Sequence, residues 1–203
     1  MSDLARLRDY IVEMTRLVTA TGTDEMRLFR EGRPLLADLV SGDDWLPPPF
    51  AAPSPQTYRQ YLLWCDPLER FSVLSFVWGP GQKTAIHDHT VWGMVGVLRG
   101  RERCEDYERP EPGRAMRKTG ECFADPGEVT TVSPSVGDIH RVSNALADGT
   151  SISIHVYGAN IGAVRRHSFD PGDGRATPFV SGYSSDVVPN LWDRSAEVRA
   201  GLR

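Results

Sequence analysis

Five histidines are few for a chain of 203 residues, and three of them carry the chemistry that stands out. His87 and His89 are two apart, so on a β-strand both imidazoles face the same side. His140 stands on a later segment, in Gly137-Asp138-Ile139-His140. Two imidazoles from one segment and a third from its neighbour could give three nitrogens to one metal and leave its other positions open. That arrangement belongs to catalytic rather than structural metal sites. A His-x-His pair alone is commonplace, but here Gly81, Gly100, Gly137 and Asn144 frame it. A second group follows at 153–157. Ser153, His155 and Tyr157 alternate with Ile152, Ile154 and Val156, which puts serine, imidazole and phenol in one row and aliphatics on the opposite face. Such a row is either a solvated strand edge or part of a barrel interior. In an interior its members would bond one another and could hold a phenolic proton toward a metal.

Elements able to position these groups show in the hydrophobic pattern. The segments 58–65, 71–78, 91–99, 101–107, 128–132, 139–142, 151–157 and 165–169 are short, rich in β-branched and aromatic residues, and divided by Gly, Pro or Asp. They predict a β-sandwich or barrel rather than βαβ units. Ahead of them, Leu4, Leu7, Ile11, Met14, Leu17 and Val18 form one helical stripe, with Ser2 as its cap. Thr21-Gly22-Thr23-Asp24 breaks the stripe and offers a second cap. The apolar pattern at 26–40 contains Pro34, which predicts a short helix and then another beginning near the proline. Five prolines at 45–55 read as an extended connector. The tail from Gly172 is rich in Gly, Ser and Pro, with Leu191 and Trp192 as anchors onto the body. The chain therefore reads as one domain, with helices over 1–44, a β-barrel over 57–170 and an extension over 171–203 packed on it.

Composition excludes several classes. The net charge is −4 with no basic stripe, so a nucleic-acid surface is not indicated. No apolar run nears the ~20 residues of a membrane span, and the N-terminus lacks the apolar stretch of a secretion signal. Cys65, Cys104 and Cys122 are odd in number and lack CxxC spacing. They read as small buried apolar residues of a reduced, cytoplasmic protein. His167, beside two arginines, reads as a surface residue, and Trp92 as either core or pocket wall. Oligomeric state is left open.

The first histidine motif resembles that of the cupin superfamily, G-x5-H-x-H-x3/4-E-x6-G, in Gly81, His87, His89 and Gly100. Gly93 stands at the glutamate's place, and the second motif is matched in Gly137, His140 and Asn144 with its proline displaced to Pro134. The resemblance implies a double-stranded β-helix, or jelly roll, with three histidine ligands. HDHT at 87–90, Trp78-Gly79-Pro80-Gly81 and SIHVY at 153–157 together are similar to the thiol dioxygenases, the family of cysteine and 3-mercaptopropionate dioxygenases. That resemblance runs over 58–169. It implies one Fe(II) on His87, His89 and His140, an outer network of Ser153, His155 and Tyr157, and insertion of both atoms of O2 into a small thiol. Three neutral imidazoles would leave a divalent metal its full charge and favour thiolate binding.

Departures from the animal enzymes bear on the substrate. Their tyrosine is crosslinked to a cysteine near the place of Gly93, so no such bond to Tyr157 is expected here. Tyr58-Arg59-Gln60 puts Gln60 where they carry a carboxylate-binding arginine. This pattern resembles a bacterial branch in which an arginine nine residues past the tyrosine takes the carboxylate, a position held by Arg166. Strand alternation lets only one of Arg165 and Arg166 face the interior. The expectation is therefore a thiol carboxylate, 3-mercaptopropionate ahead of L-cysteine, with Arg166 and Gln60 as substrate contacts. A rival reading is a non-enzymatic metal-binding cupin serving as a small-ligand sensor. A third keeps a metal enzyme but changes its reaction.

Overall fold

The computed structural model describes residues 4–109, 113–189 and 191. Two helices lead, α1 (Ala5–Thr21) and α2 (Glu25–Val40). Eleven strands follow: β1 (Arg59–Cys65), β2 (Ser72–Trp78), β3 (Ile86–His87), β4 (Gly93–Arg99), β5 (Glu102–Glu108), β6 (Arg117–Ala124), β7 (Val129–Val132), β8 (His140–Asn144), β9 (Ser151–Tyr157), β10 (Arg166–Phe169) and β11 (Ala176–Phe179). They pair antiparallel in two sheets, β1-β2-β9-β4-β7 and β11-β10-β3-β8-β5-β6. The fold is mainly β, as the strand pattern predicts, and it is the double-stranded β-helix that the cupin resemblance implies.

Alternation along β2 and β9 explains how the first sheet is buried on both faces. Val73, Val77, Ile152, Ile154 and Val156 point out to the helices and join a core with Leu7, Ile11, Met14, Leu36 and Leu39. Each such aliphatic removed from water contributes roughly 1.5–3 kcal/mol. Leu74, Phe76, Trp78 and Tyr157 point the other way, into the barrel. The row Ser153, His155 and Tyr157 is therefore interior, not a solvated edge; all of β9 is buried. Helix α2 lies close on the sheet because Gly32 bears no side chain: a Cβ there would meet Met94 Cε at 2.8 Å.

The helices depart from the sequence reading at Pro34. Asp24 caps α2, accepting from Arg27 N–H at 2.9 Å, but Pro34 does not divide it. Arg30 and Pro34 lie on the exposed face, where water can serve the carbonyl that proline leaves unbonded. Buried Leu28, Phe29, Leu36, Leu39 and Val40 hold the helix on both sides. The expected cap Ser2 lies outside the described residues.

The strands add three that the pattern did not show, β3, β6 and β11. The connector at 45–55 includes a 3-10 turn, Pro48–Phe50, that brings Phe50 into the core. Leu191 is buried in the helix-side core; its expected companion Trp192 lies outside the described residues. No described helix is long and apolar enough to cross a membrane.

Candidate metal centre

Strand register brings the three histidines together. His87 of β3 is paired directly with His140 of β8, and His89, just past the end of β3, turns back beside them. The ring centroids form a nearly regular triangle of 4.8, 4.9 and 4.7 Å, and one nitrogen from each lies within 4.8 Å of the others. The outer nitrogens are all engaged. His87 Nδ1 faces Ala85 O at 3.1 Å, His89 Nδ1 faces Asp138 O at 3.1 Å, and His140 Nδ1 lies 3.4 Å from Cys104 Sγ. With Nδ1–H donating outward, each Nε2 lone pair is left free, as metal ligation requires. His89 Nε2 is buried with no hydrogen-bond partner, an orphan that a metal ion would satisfy. Burial, reinforced by neighbouring His89, pushes His87 down to about 3 and His140 well below its ordinary value, so both stay neutral near pH 7. The donor set therefore fits a divalent transition metal.

Asp138 holds the loop of His89 in place. Its carboxylate accepts from the backbone N–H of His89 at 2.9 Å and of Thr90 at 3.1 Å. Burial opposes its charge, but these bonds and the His89 side chain together hold its pKa below the ordinary carboxylate range. Thr90 has φ +62°, a conformation costly for a β-branched residue, and the Asp138 clamp helps to sustain it. Asp88, between the two histidines, accepts from His167 N–H at 2.7 Å and faces His167 Nδ1 at 3.0 Å. His167 is thus a strut between the histidine loop and β10, not a free surface residue.

The row on β9 forms a continuous chain. Ser153 Oγ lies 2.8 Å from His155 Nε2, and His155 Nδ1 lies 2.8 Å from Tyr157 Oη. Phe76 stacks on His155 at 4.0 Å, and the Tyr157 ring stacks on His89 at 5.4 Å between centroids. Burial holds the Tyr157 phenol above its ordinary value, so it remains protonated.

Above the triangle lies a cavity of about 240 Å³, suited to a ligand of few heavy atoms. Tyr58, Phe76 and Trp78 form an aromatic wall, with Tyr58 and Trp78 at 4.7 Å. Opposite them Arg166 is only 4% exposed, while Arg165 faces solvent. Arg166 Nη2 donates to Ser181 Oγ at 2.7 Å and its guanidinium lies 4.8 Å from the centroid of Phe179, but its Nε has no partner. Among the described residues no carboxylate forms an ion pair with it. Burial accordingly lowers its basicity. A buried cation without a counter-ion is costly, a cost that an anion entering the cavity would offset. Gln60 also lines it, but its Nε2 is spent on Gly182 O at 2.6 Å and Ser181 Oγ at 3.1 Å.

Comparison with known proteins places the chain in a family. The cysteine dioxygenase type I family matches residues 54–170, more than half of the chain. The chain belongs to the cysteine dioxygenase type I family. One family relative, cysteine dioxygenase type 1 of Danio rerio, is 24% identical over 131 residues, covering 63% of this chain and 60% of that protein. The chain thus spans less than two thirds of that relative's length. Among solved structures, a double-stranded β-helix protein from Klebsiella pneumoniae shares 16% identity, with TM-score 0.42 over 64% of this chain and 90% of that one. An RmlC-like cupin from Ralstonia eutropha shares 16%, with TM-score 0.43 over 63% and 69%.

Family membership and the histidine triangle together point to a metal cofactor. Within the family pattern, the place of the usual cupin glutamate is taken up by packing. A Cβ on Gly93 would lie 2.7 Å from Tyr157 Cδ1, so the Tyr157 ring needs glycine there. Cys104 sits against His140 rather than Tyr157. Trp92 packs on the helix-side core and over Gly158, where a Cβ would clash with its indole, and is not a cavity wall. Glu102, Asp138, Phe179 and Ser181 were given no role in the sequence reading, and Cys104, read there as a small buried apolar residue, is half-buried against His140. Only Asp138 carried a signal, its place between Gly137 and His140.

Proposed function

We propose that this chain is an iron(II)-dependent thiol dioxygenase that converts a small thiol carboxylate and O2 to the sulfinic acid, R–SH + O2 → R–SO2H. The observation that supports it best is a small cavity joining three clustered imidazoles to a buried guanidinium that no described carboxylate pairs with. Iron held by His87, His89 and His140 would supply the site at which thiolate sulfur and O2 meet. The chain's own residues do the rest. Arg166 binds the carboxylate and sets the distance from that anchor to sulfur. The aromatic wall of Tyr58, Phe76 and Trp78 excludes water. Tyr157 Oη, held by His155, places one hydrogen bond beside the reacting atoms. Gln60 acts indirectly, by fixing the Ser181 hydroxyl that orients Arg166.

The favoured substrate is 3-mercaptopropionate, with L-cysteine second. No carboxylate lines the described cavity, so an α-ammonium group would enter without a counter-charge. The three cysteines, none in a described disulfide, fit a cytoplasmic setting. The test is O2 consumption by iron-loaded protein with a panel of 3-mercaptopropionate, cysteine and cysteamine. Turnover should fall in that order, with cysteamine, which lacks a carboxylate, poorest. Metal binding without turnover on any thiol would leave a metal-binding sensor instead.

A further inference from the structure

The Ser153–His155–Tyr157 chain does not end at Ser153. Behind it, at the start of β5, the Glu102 side chain is buried, 3% exposed, and the Ser151 and Ser153 hydroxyls and the Trp78 indole beside it each favour its charged form. Ser151 Oγ lies 3.2 Å from Glu102 Oε1, and Trp78 Nε1 lies 3.4 Å from Ser153 Oγ. The carboxyl does not line the cavity, and among the described residues no cation pairs with it. Its register partners are Ala124 on β6 and Asn144 on β8, and Ser151, Ser153 and Trp78 face it from β9 and β2. None of these titrates. Among the groups that do, the phenol of Tyr157 at the far end of the chain feels its charge.

Hydrogen-bond polarity then follows from the donor inventory. Indole N–H can only donate, whereas serine, imidazole and phenol can each donate or accept. When Glu102 is ionised it accepts from the Ser153 hydroxyl. Ser153 Oγ must then accept from His155 Nε2–H, and His155 Nδ1 from the Tyr157 phenol. When Glu102 is protonated it donates to Ser153 and every bond reverses: Ser153 donates to Nε2, Nδ1–H donates to Tyr157, and the phenolic hydrogen turns into the cavity.

We propose that Glu102 is the positioning residue that sets the direction of this chain, and that it takes up the proton released when a thiol in the cavity becomes a thiolate. The inference rests on the dioxygenase reading for the thiol, whereas the links from Tyr157 to Ser153, and the burial of Glu102 beside Ser151, are geometry. Protons balance at every step. The thiol proton passes to Tyr157 Oη as the phenolic proton moves to His155 Nδ1. The Nε2 proton moves to Ser153 Oγ, and the Ser153 proton moves to the carboxylate. Tyrosine, histidine and serine end neutral, with thiolate at one end and carboxylic acid at the other. Burial, partly offset by the serine and indole hydrogen bonds, pushes Glu102 up to about 7. It can therefore exchange a proton near neutrality, as a relay terminus must.

The test reads the His155 tautomer by long-range proton–nitrogen NMR on the full-length chain loaded with diamagnetic Zn(II) and without thiol. The signals are assigned by their loss in His155→Asn. Well above pH 7 the proton should sit on Nε2, and below it on Nδ1, with a midpoint near the Glu102 value. Glu102→Gln, nearly isosteric, should abolish the transition. Ser153→Ala, which cuts the link, should abolish it too and serves if Glu102→Gln does not fold. A tautomer unchanged from roughly pH 5 to 9, or a transition that survives both substitutions, overturns the proposal. No turnover is measured, so failure here leaves the dioxygenase reading standing, and a failed thiol panel leaves this result standing.

Discussion

His87, His89 and His140 differ from the histidine behind them in where their free nitrogens point. Each of the three spends Nδ1 on an outer partner and turns Nε2 inward, whereas His155 spends both nitrogens on Ser153 and Tyr157. His87→Ala should therefore abolish stoichiometric metal binding. His155→Ala should keep the metal and lose most of the turnover. Metal content by elemental analysis checks this, and equal metal loss in both would break the distinction. Arg166 makes a similar argument for the substrate. Loss of a charge-assisted bond to a carboxylate costs about 1.5–3 kcal/mol, so Arg166→Met should raise KM for 3-mercaptopropionate roughly 10- to 150-fold. It should change that for cysteamine little; steady-state O2 uptake reads both.

Elements explain why some residues were legible in the sequence and others were not. Strands β2, β4 and β9 are central and apolar on at least one face, so alternation exposes them. β6, with its run RKTGECFA, is a mostly exposed edge strand, and β11 is an edge strand containing Pro178, which an edge tolerates. Neither carries a hydrophobic period to read. The same holds in the site. The histidines and the row on β9 show by residue type and spacing, but Glu102 and Ser181 are ordinary polar residues whose neighbours come from segments distant in sequence. Gly93 was visible as a missing glutamate, while its positive reason, the Tyr157 ring lying across β4, was visible only in the packing. Gly93→Ala should strain that contact by about 1–3 kcal/mol. It should lower Tm by roughly 2–12 °C and impair turnover; thermal unfolding with and without metal measures it. An unchanged Tm would show that the ring has room to move.

For the molecule as a whole, a buried site of neutral imidazoles couples metal, pH and stability. Burial depresses His87 to about 3, and holds His140 and His155 well below their ordinary 6.5. The unfolded chain takes up protons near pH 6.5 that the folded protein refuses. The metal-free protein should therefore lose stability as pH falls from about 6.5 toward 3. Glu102 has the opposite sign. Raised from 4.5 to about 7, it contributes stability below pH 4.5 that is lost as pH rises through 7. Three histidines outweigh one carboxyl, so acidification should destabilise overall. Glu102→Gln should steepen that trend by removing the opposing slope. Urea midpoints across this range check both, and bound metal should raise every midpoint by mass action. The central question for the whole molecule is whether the cavity above the triangle performs oxygen chemistry on sulfur. The most direct measurement supplies iron-loaded protein with 3-mercaptopropionate and isotopically labelled O2, then weighs the product. A sulfinate carrying both labelled oxygen atoms is the predicted result; no O2 consumption, or a product whose oxygen comes from water, would contradict it.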